Sequence, residues 1–191
     1  PMPLAETASI FNETLLSQTV RRSADDATRL VLLENSLMEA TQTVVDIYSR
    51  YLFESAVIEA RKTHIPSAQE LNGFMLDAQE QSYGDGLSKD ARHPSMWVCK
   101  SHYYSTGLHF YNFPYAFGLL FGLGVFVQFQ KEGAAFVPKY DKLLASCGSD
   151  TVRNVAASVG IDVNSVDYWR SALNVVRGEI NEFLALSEKK C

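Results

Sequence analysis

DATRLVLLENSLMEATQTVVDIYSRYLFESAVIEAR, residues 26–61, holds no glycine and no proline. Its apolar residues Leu30, Leu33, Leu37, Val44, Ile47, Tyr51 and Ile58 recur at steps of three and four, with no alternation of period two. That spacing lays them along one side of an α-helix. A run of this length implies either one long helix or two joined by a bend. It sets the class of the whole chain as all-α.

The same periodicity continues outward in both directions. Upstream, Ile10, Leu15 and Leu16 suit a first helix over about residues 4–23, and Ser23-Ala24-Asp25-Asp26 offers caps for the next. Downstream, Thr63-His64-Ile65-Pro66 stops the long run. Ser67-Ala68-Gln69-Glu70 reads as a capping box opening a helix that carries Leu71, Phe74, Met75 and Ala78. Tyr83-Gly84-Asp85-Gly86 ends it, and a polar loop with Pro94 follows. Further helices are expected over about 113–131, 136–146, 151–158 and 168–187, with Ser149-Asp150 capping the third and Asn164-Ser165-Val166-Asp167 the last. No repeat, low-complexity run or linker interrupts the chain, so residues 1–191 read as a single helical domain.

Composition narrows the function classes. The formal net charge is -5, and the longest basic cluster is Arg21-Arg22, so a nucleic-acid grip is not expected. Cys99, Cys147 and Cys191 are odd in number and far apart, with no CxxC, which reads as reduced thiols in a cytoplasmic protein with Cys191 on a tail. The chain opens on Pro1 rather than Met and carries no signal-peptide pattern, so a fragment or processed product is expected.

From Ser101 to Gln130 there is no Asp, Glu, Lys or Arg. The second half of this segment is apolar enough to consider as a membrane span, and Gly118-Leu119-Leu120-Phe121-Gly122 is a GxxxG pattern. There is one such run and its basic flanks are sparse. Glycines at this spacing equally let a core helix approach a neighbour, so no membrane partner is expected. Gly122-Leu123-Gly124 does not complete GxGxxG and no strand precedes it.

The chemistry-bearing residues fall in two places. Glu6 and Glu13 sit seven apart, two turns along one helix face. A carboxylate on a mostly apolar helix can ligate a metal, with a second carboxylate behind it. By spacing alone both read first as solvated surface residues. His102, Tyr103, Tyr104, His109, Tyr111 and Tyr115 crowd the first half of the charge-free segment. Tyr111 and Tyr115 are four apart, so in a helical turn their hydroxyls could converge on one oxyanion. The plain alternative is two core rings whose hydroxyls reach backbone. His64 and His93 read as surface residues, and Gly107 makes a shared helical face for His102 and His109 improbable. No HExxH, nucleophile triad or P-loop occurs in the chain.

Two segments together resemble one family. The first is Leu4-Ala5-Glu6-Thr7-Ala8-Ser9-Ile10-Phe11-Asn12-Glu13. The second is His102-Tyr103-Tyr104 followed by Phe110-Tyr111-Asn112-Phe113-Pro114-Tyr115-Ala116-Phe117-Gly118. Both are similar to the C-terminal catalytic region of oligoendopeptidase F, a zinc peptidase related to thimet oligopeptidase, and the resemblance runs over essentially the whole chain. It implies the C-terminal part of a zincin-like, all-helical metalloendopeptidase whose channel admits short peptides. In that family Zn2+ is held by the two histidines of HExxH and a glutamate on a following helix, and the motif glutamate acts as general base. A later histidine and tyrosines hold the substrate carbonyl and developing oxyanion.

Residue by residue, the resemblance implies Glu6 as the third zinc ligand and Glu13 as the acidic residue supporting it. It implies His102, rather than His109, as the histidine ahead of the tyrosine loop, with Tyr111 and Tyr115 binding substrate. The departure is HExxH, which the chain lacks while only five residues precede Glu6. The expectation is therefore that this chain alone is inactive and zinc-free, and that its partners are short peptides and the missing N-terminal part of the same enzyme. Self-association through apolar surface exposed by truncation is a further expectation. The alternative is a stand-alone, non-catalytic helical protein that binds peptides or a partner chain.

Overall fold

The computed structural model describes residues 2–189; Pro1 and Cys191, on which two of the expectations fall, lie outside them. Among the described residues every regular element is helical. After a 3₁₀ turn at Met2–Leu4 come α1 (Thr7–Ser23) and α2 (Asp26–Ala40), the latter capped by Asp25, whose Oδ1 accepts the Thr28 amide at 2.8 Å. The path continues without a break through a π-helical turn, Thr41–Asp46, into α3 (Ile47–Ala60). The long glycine-free run is thus one helical path with a widened turn at its middle. Thr41, Thr43, Val44 and Val45 are β-branched and crowd an ordinary α turn there. Two carbonyls of the widened turn are taken by side chains: Val45 O accepts from Ser82 Oγ, and Asp46 O from Ser49 Oγ at 2.8 Å.

The capping box forms as its residues dictate. Ser67 Oγ accepts the Glu70 amide at 3.2 Å, and Glu70 Oε2 accepts the Ser67 amide at 2.8 Å, opening α4 (Ala68–Tyr83). These Ser67 bonds, with His64 beside them, draw the Glu70 carboxyl down to about 2. Gly84, at φ 51°, ends the helix. Then follow α5 (Phe113–Glu132), α6 (Val137–Ser146), α7 (Val152–Ala157) and α8 (Val166–Glu188). Two caps differ from expectation. Thr151, not Ser149-Asp150, caps α7 by accepting the Asn154 amide at 3.3 Å; Asp150 Oδ1 instead accepts from the Thr151 amide at 2.6 Å. Ser165 begins α8 with no side-chain cap, two residues earlier than periodicity places it.

The described residues group into two compact units. The first comprises those up to Ala40 and from Phe117 onward; the second is Thr41–Ala116. Both divisions fall inside continuous helical stretches, after α2 and within α5, so no linker composition marks them.

In the first unit, α5 is apolar all round and is enclosed: Phe121, Gly122, Leu123, Gly124, Val125 and Phe126 are buried. Among the described residues, the stretch Phe113–Ser146 that α5 opens is the one long and apolar enough to cross a membrane by length and composition. Its glycines mark close approaches within the unit. A Cβ on Gly122 would lie 2.6 Å from Ile10 Cγ2, and one on Gly124 would meet the Tyr168 ring. Tyr168 of α8 is buried against α5 and its hydroxyl donates to Phe121 O at 2.9 Å. Burial pushes that phenol's pKa up. The α1–α2–α8 seam is charged: Arg21, 5% exposed, donates to Glu179 Oε1 at 2.7 Å, and Ser36 donates to Glu179 Oε2 at 2.7 Å.

Gly124→Ala is expected to destabilise the first unit by about 1–3 kcal/mol, because overpacking against the Tyr168 ring cannot relax without breaking its bond to Phe121. Thermal unfolding checks this, with Gly148→Ala, where an added Cβ meets nothing within 4 Å, as the silent control.

Candidate functional site

The charge-free aromatic segment folds within the second unit. His102 sits on a 3₁₀ turn, Ser101–Tyr104, that leans on α3 and α4 through Tyr103. The Tyr103 ring packs on Phe53 of α3 at 5.0 Å between centroids, and Phe53 stacks on Trp97 at 6.5 Å. Trp97 Nε1 is tied to Asn72 Oδ1 of α4 at 2.9 Å. The His102 ring lies 4.2 Å from that of Tyr103 and 5.9 Å from that of Tyr111.

Tyr111 precedes α5 by two residues and Tyr115 lies in its first turn. Their hydroxyls are 3.2 Å apart, and Tyr115 is 43% exposed. Tyr111 is half-buried and Tyr115 exposed, so they are not core rings. Each hydroxyl is both donor and acceptor, so the pair can hold one shared oxygen from a ligand. Burial is the first cause that lowers the His102 pKa; the positive charges of Arg50 and then Lys100 act with it, and Glu54 opposes them. The imidazole is therefore neutral at pH 7, with one N–H to donate and one lone pair.

Beneath this cluster runs a polar stripe on one face of the π turn and α3: Asp46, Arg50 and Glu54, each four residues from the next. Asp46 is 2% exposed. It accepts from Arg50 Nη2, from Gln42 Nε2 at 2.7 Å and from the Tyr83 hydroxyl at 3.1 Å. Burial, with the Asp46 carboxylate next, pushes the Tyr83 phenol up to about 12. One turn on from Arg50, Glu54 Oε1 accepts the Phe110 amide at 2.8 Å. Phe110 has φ 50°, the one described non-glycine residue with a positive φ. That conformation costs an L-residue about 1–2 kcal/mol. Asp46, Arg50 and Glu54 escaped the sequence reading; their regular four-residue spacing was the available signal.

The carboxylates expected to serve a metal lie in the first unit. Glu6 is exposed at the N-cap of α1, and its Oε2 accepts the Ser9 hydroxyl at 2.6 Å. Glu13 is exposed as well, and its charge adds to burial in raising the Glu39 carboxyl. Among the described residues no three His, Cys, Asp or Glu side chains gather closely enough to hold a metal ion. Among the described residues Glu6 is therefore not part of a closed metal site. His109 is exposed, His64 is tied to Glu70 at 2.9 Å, and His93 lies in the polar loop.

No family model matches the chain. It is 27% identical over 191 residues to an oligoendopeptidase F homolog of Lactococcus lactis, covering 99% of this chain and 31% of that protein. Against the group B oligopeptidase PepB of Streptococcus agalactiae it is 27% identical over 190 residues, and against the oligopeptidase PepF of Bacillus subtilis 24% over 188. The chain spans 31% and 28% of those two relatives. The crystal structure of oligoendopeptidase-F from Enterococcus faecium superposes with a TM-score of 0.87 over 99% of this chain and 36% of its own, at 21% identity. The resemblance and the all-helical fold read from the sequence therefore stand.

An NMR titration should find His102 gaining its proton below the ordinary histidine value of 6.5. Glu54→Gln should move that midpoint lower still, since it removes the one carboxylate that favours the charged ring. A midpoint at or above 6.5 would mean a hydrated imidazole and a different electrostatic balance.

Proposed function

From the resemblance to oligoendopeptidase F, we propose that these residues work as the C-terminal part of a longer cytoplasmic zinc oligoendopeptidase that hydrolyses internal bonds of short peptides. The observation that carries it is the Tyr111–Tyr115 hydroxyl pair, 3.2 Å apart, beside a neutral His102. The two phenol hydroxyls, with the His102 ring 5.9 Å from that of Tyr111, are the groups that would meet a peptide carbonyl oxygen. They bind it weakly as a neutral carbonyl and more strongly as negative charge develops.

Glu6 would contribute one carboxylate ligand to the metal, with Glu13 supporting it from two turns on. Zinc, when bound, supplies Lewis-acid polarisation and lowers the pKa of water. The remaining ligands and the general base come from parts of the protein beyond this chain, so residues 1–191 by themselves neither retain zinc nor cleave peptides. Stoichiometric zinc in the purified 191-residue chain after dialysis would overturn that.

In the full-length protein, Tyr111→Phe should lower kcat by about 10²-fold, the cost of one oxyanion donor, with zinc content unchanged. An unaltered kcat removes Tyr111 from the chemistry. Glu6→Gln should instead release metal on dialysis, read by metal analysis; retained zinc rejects Glu6 as a ligand.

A further inference from the structure

The Tyr111–Tyr115 pair is only as well placed as the residue that introduces it. Phe110 turns the chain into α5: its carbonyl accepts the Phe113 amide at 3.2 Å, and Asn112 O accepts the Tyr115 amide at 3.1 Å. Its own amide points the other way, towards α3, because φ is 50°. A bulky residue relaxes out of that conformation unless its surroundings hold it. Here two side chains of α3, three residues apart and so on one face, do the holding. Tyr51 packs on the Phe110 ring at 5.1 Å between centroids, and Glu54 accepts the amide at 2.8 Å. The space between Glu54, Arg50, Phe110 and Asn112 is about 10 Å3, room for about one water.

Arg50 lies four residues before Glu54 and is its natural ion-pair partner on the helix. It is bonded to the buried Asp46 instead. That leaves the Glu54 carboxylate free to take the loop amide as a charge-assisted bond.

We propose that Glu54 is the positioning residue for the tyrosine pair: by holding the Phe110 amide it locks a left-handed turn that fixes where Tyr111 and Tyr115 present their hydroxyls. The role presupposes that these tyrosines bind the reacting carbonyl. Glu54 touches no substrate. Loss of its acceptor lets Phe110 rotate to negative φ, swinging the following residue and parting the hydroxyls.

The test uses the full-length protein with Glu54→Ala, Glu54→Gln, Phe110→Gly and the Glu54→Ala/Phe110→Gly double variant, assayed at pH 8, where His102 is neutral in all of them. Glu54→Ala should lower kcat at least about tenfold, with KM within about threefold, as expected for misplaced transition-state contacts. Glu54→Gln, whose amide oxygen still accepts, should keep most of the activity. In the Phe110→Gly background Glu54→Ala should cost much less, because glycine adopts positive φ without help. Equal losses in both backgrounds, or Gln as poor as Ala, would overturn the assignment. Hydrogen exchange of the segment containing Phe110 provides the readout that does not depend on turnover. Faster exchange in Glu54→Ala supports the lock, and unchanged exchange overturns it. Wild-type protein that cleaves no peptide would sink the peptidase reading while exchange still decides whether Glu54 holds the loop.

Discussion

A carboxylate taken almost wholly out of water must be paired, and Asp46 imposes that demand on the second unit. At 2% exposure it sits at the end of the π turn and gathers Arg50, Gln42 and Tyr83. Removing one member of a buried pair costs about 3–5 kcal/mol, a large part of the 5–15 kcal/mol that holds a domain folded. The register of α3 against the turn is fixed accordingly. With Arg50 committed to Asp46, Glu54 is left to accept the Phe110 amide, and the strained residue ahead of the tyrosines gains its restraint. A surface ion pair between Arg50 and Glu54 would have contributed little and spent both groups.

The first unit solves a different problem. α5 has no polar side to show to water, so it must be enclosed, and enclosure needs neighbours close on several sides. Gly122 admits Ile10 of α1, and Gly124 admits the Tyr168 ring of α8. The Tyr168 hydroxyl cannot be buried unpaired and takes Phe121 O. Opposite in chemistry, the Arg21–Glu179 pair joins α1 to α8 and recruits Ser36 of α2. Apolar closeness and the charge pairs to Glu179 and Glu182 thus hold the same helices.

Local rules carried much of the architecture. Ser67 and Glu70 make their capping box because each supplies what the other's backbone lacks, and nothing distant competes. The step of three and four reveals α1 through α4 for the same reason. The π turn was hidden because it leaves apolar spacing nearly intact, and the division into two units because it runs through helices. The nearness of the Tyr111 and Tyr115 hydroxyls was one of two readings their spacing left open. Asp46, Arg50 and Glu54 were not legible, since charges spaced by four usually mark a solvated face; only the three-dimensional path shows loop and α4 closing over them. Glu6 and Glu13 carry no geometry of their own that singles them out, both being exposed.

The charge state of His102 argues for what the aromatic cluster does. Burial, Arg50 and Lys100 all keep the ring neutral, and the one opposing carboxylate, Glu54, is engaged with a backbone amide. A cationic ring beside two phenols would suit a standing anion such as a carboxylate and hold it tightly in the ground state. Neutral donors, pre-placed by packed rings and a locked turn, gain most when charge appears on an oxygen that arrived uncharged. Under the proposed function that oxygen is the carbonyl of a peptide passing to an oxyanion. From Phe117 on, the charge-free stretch is the part of α5 enclosed in the first unit, where a formal charge would have to be buried unpaired.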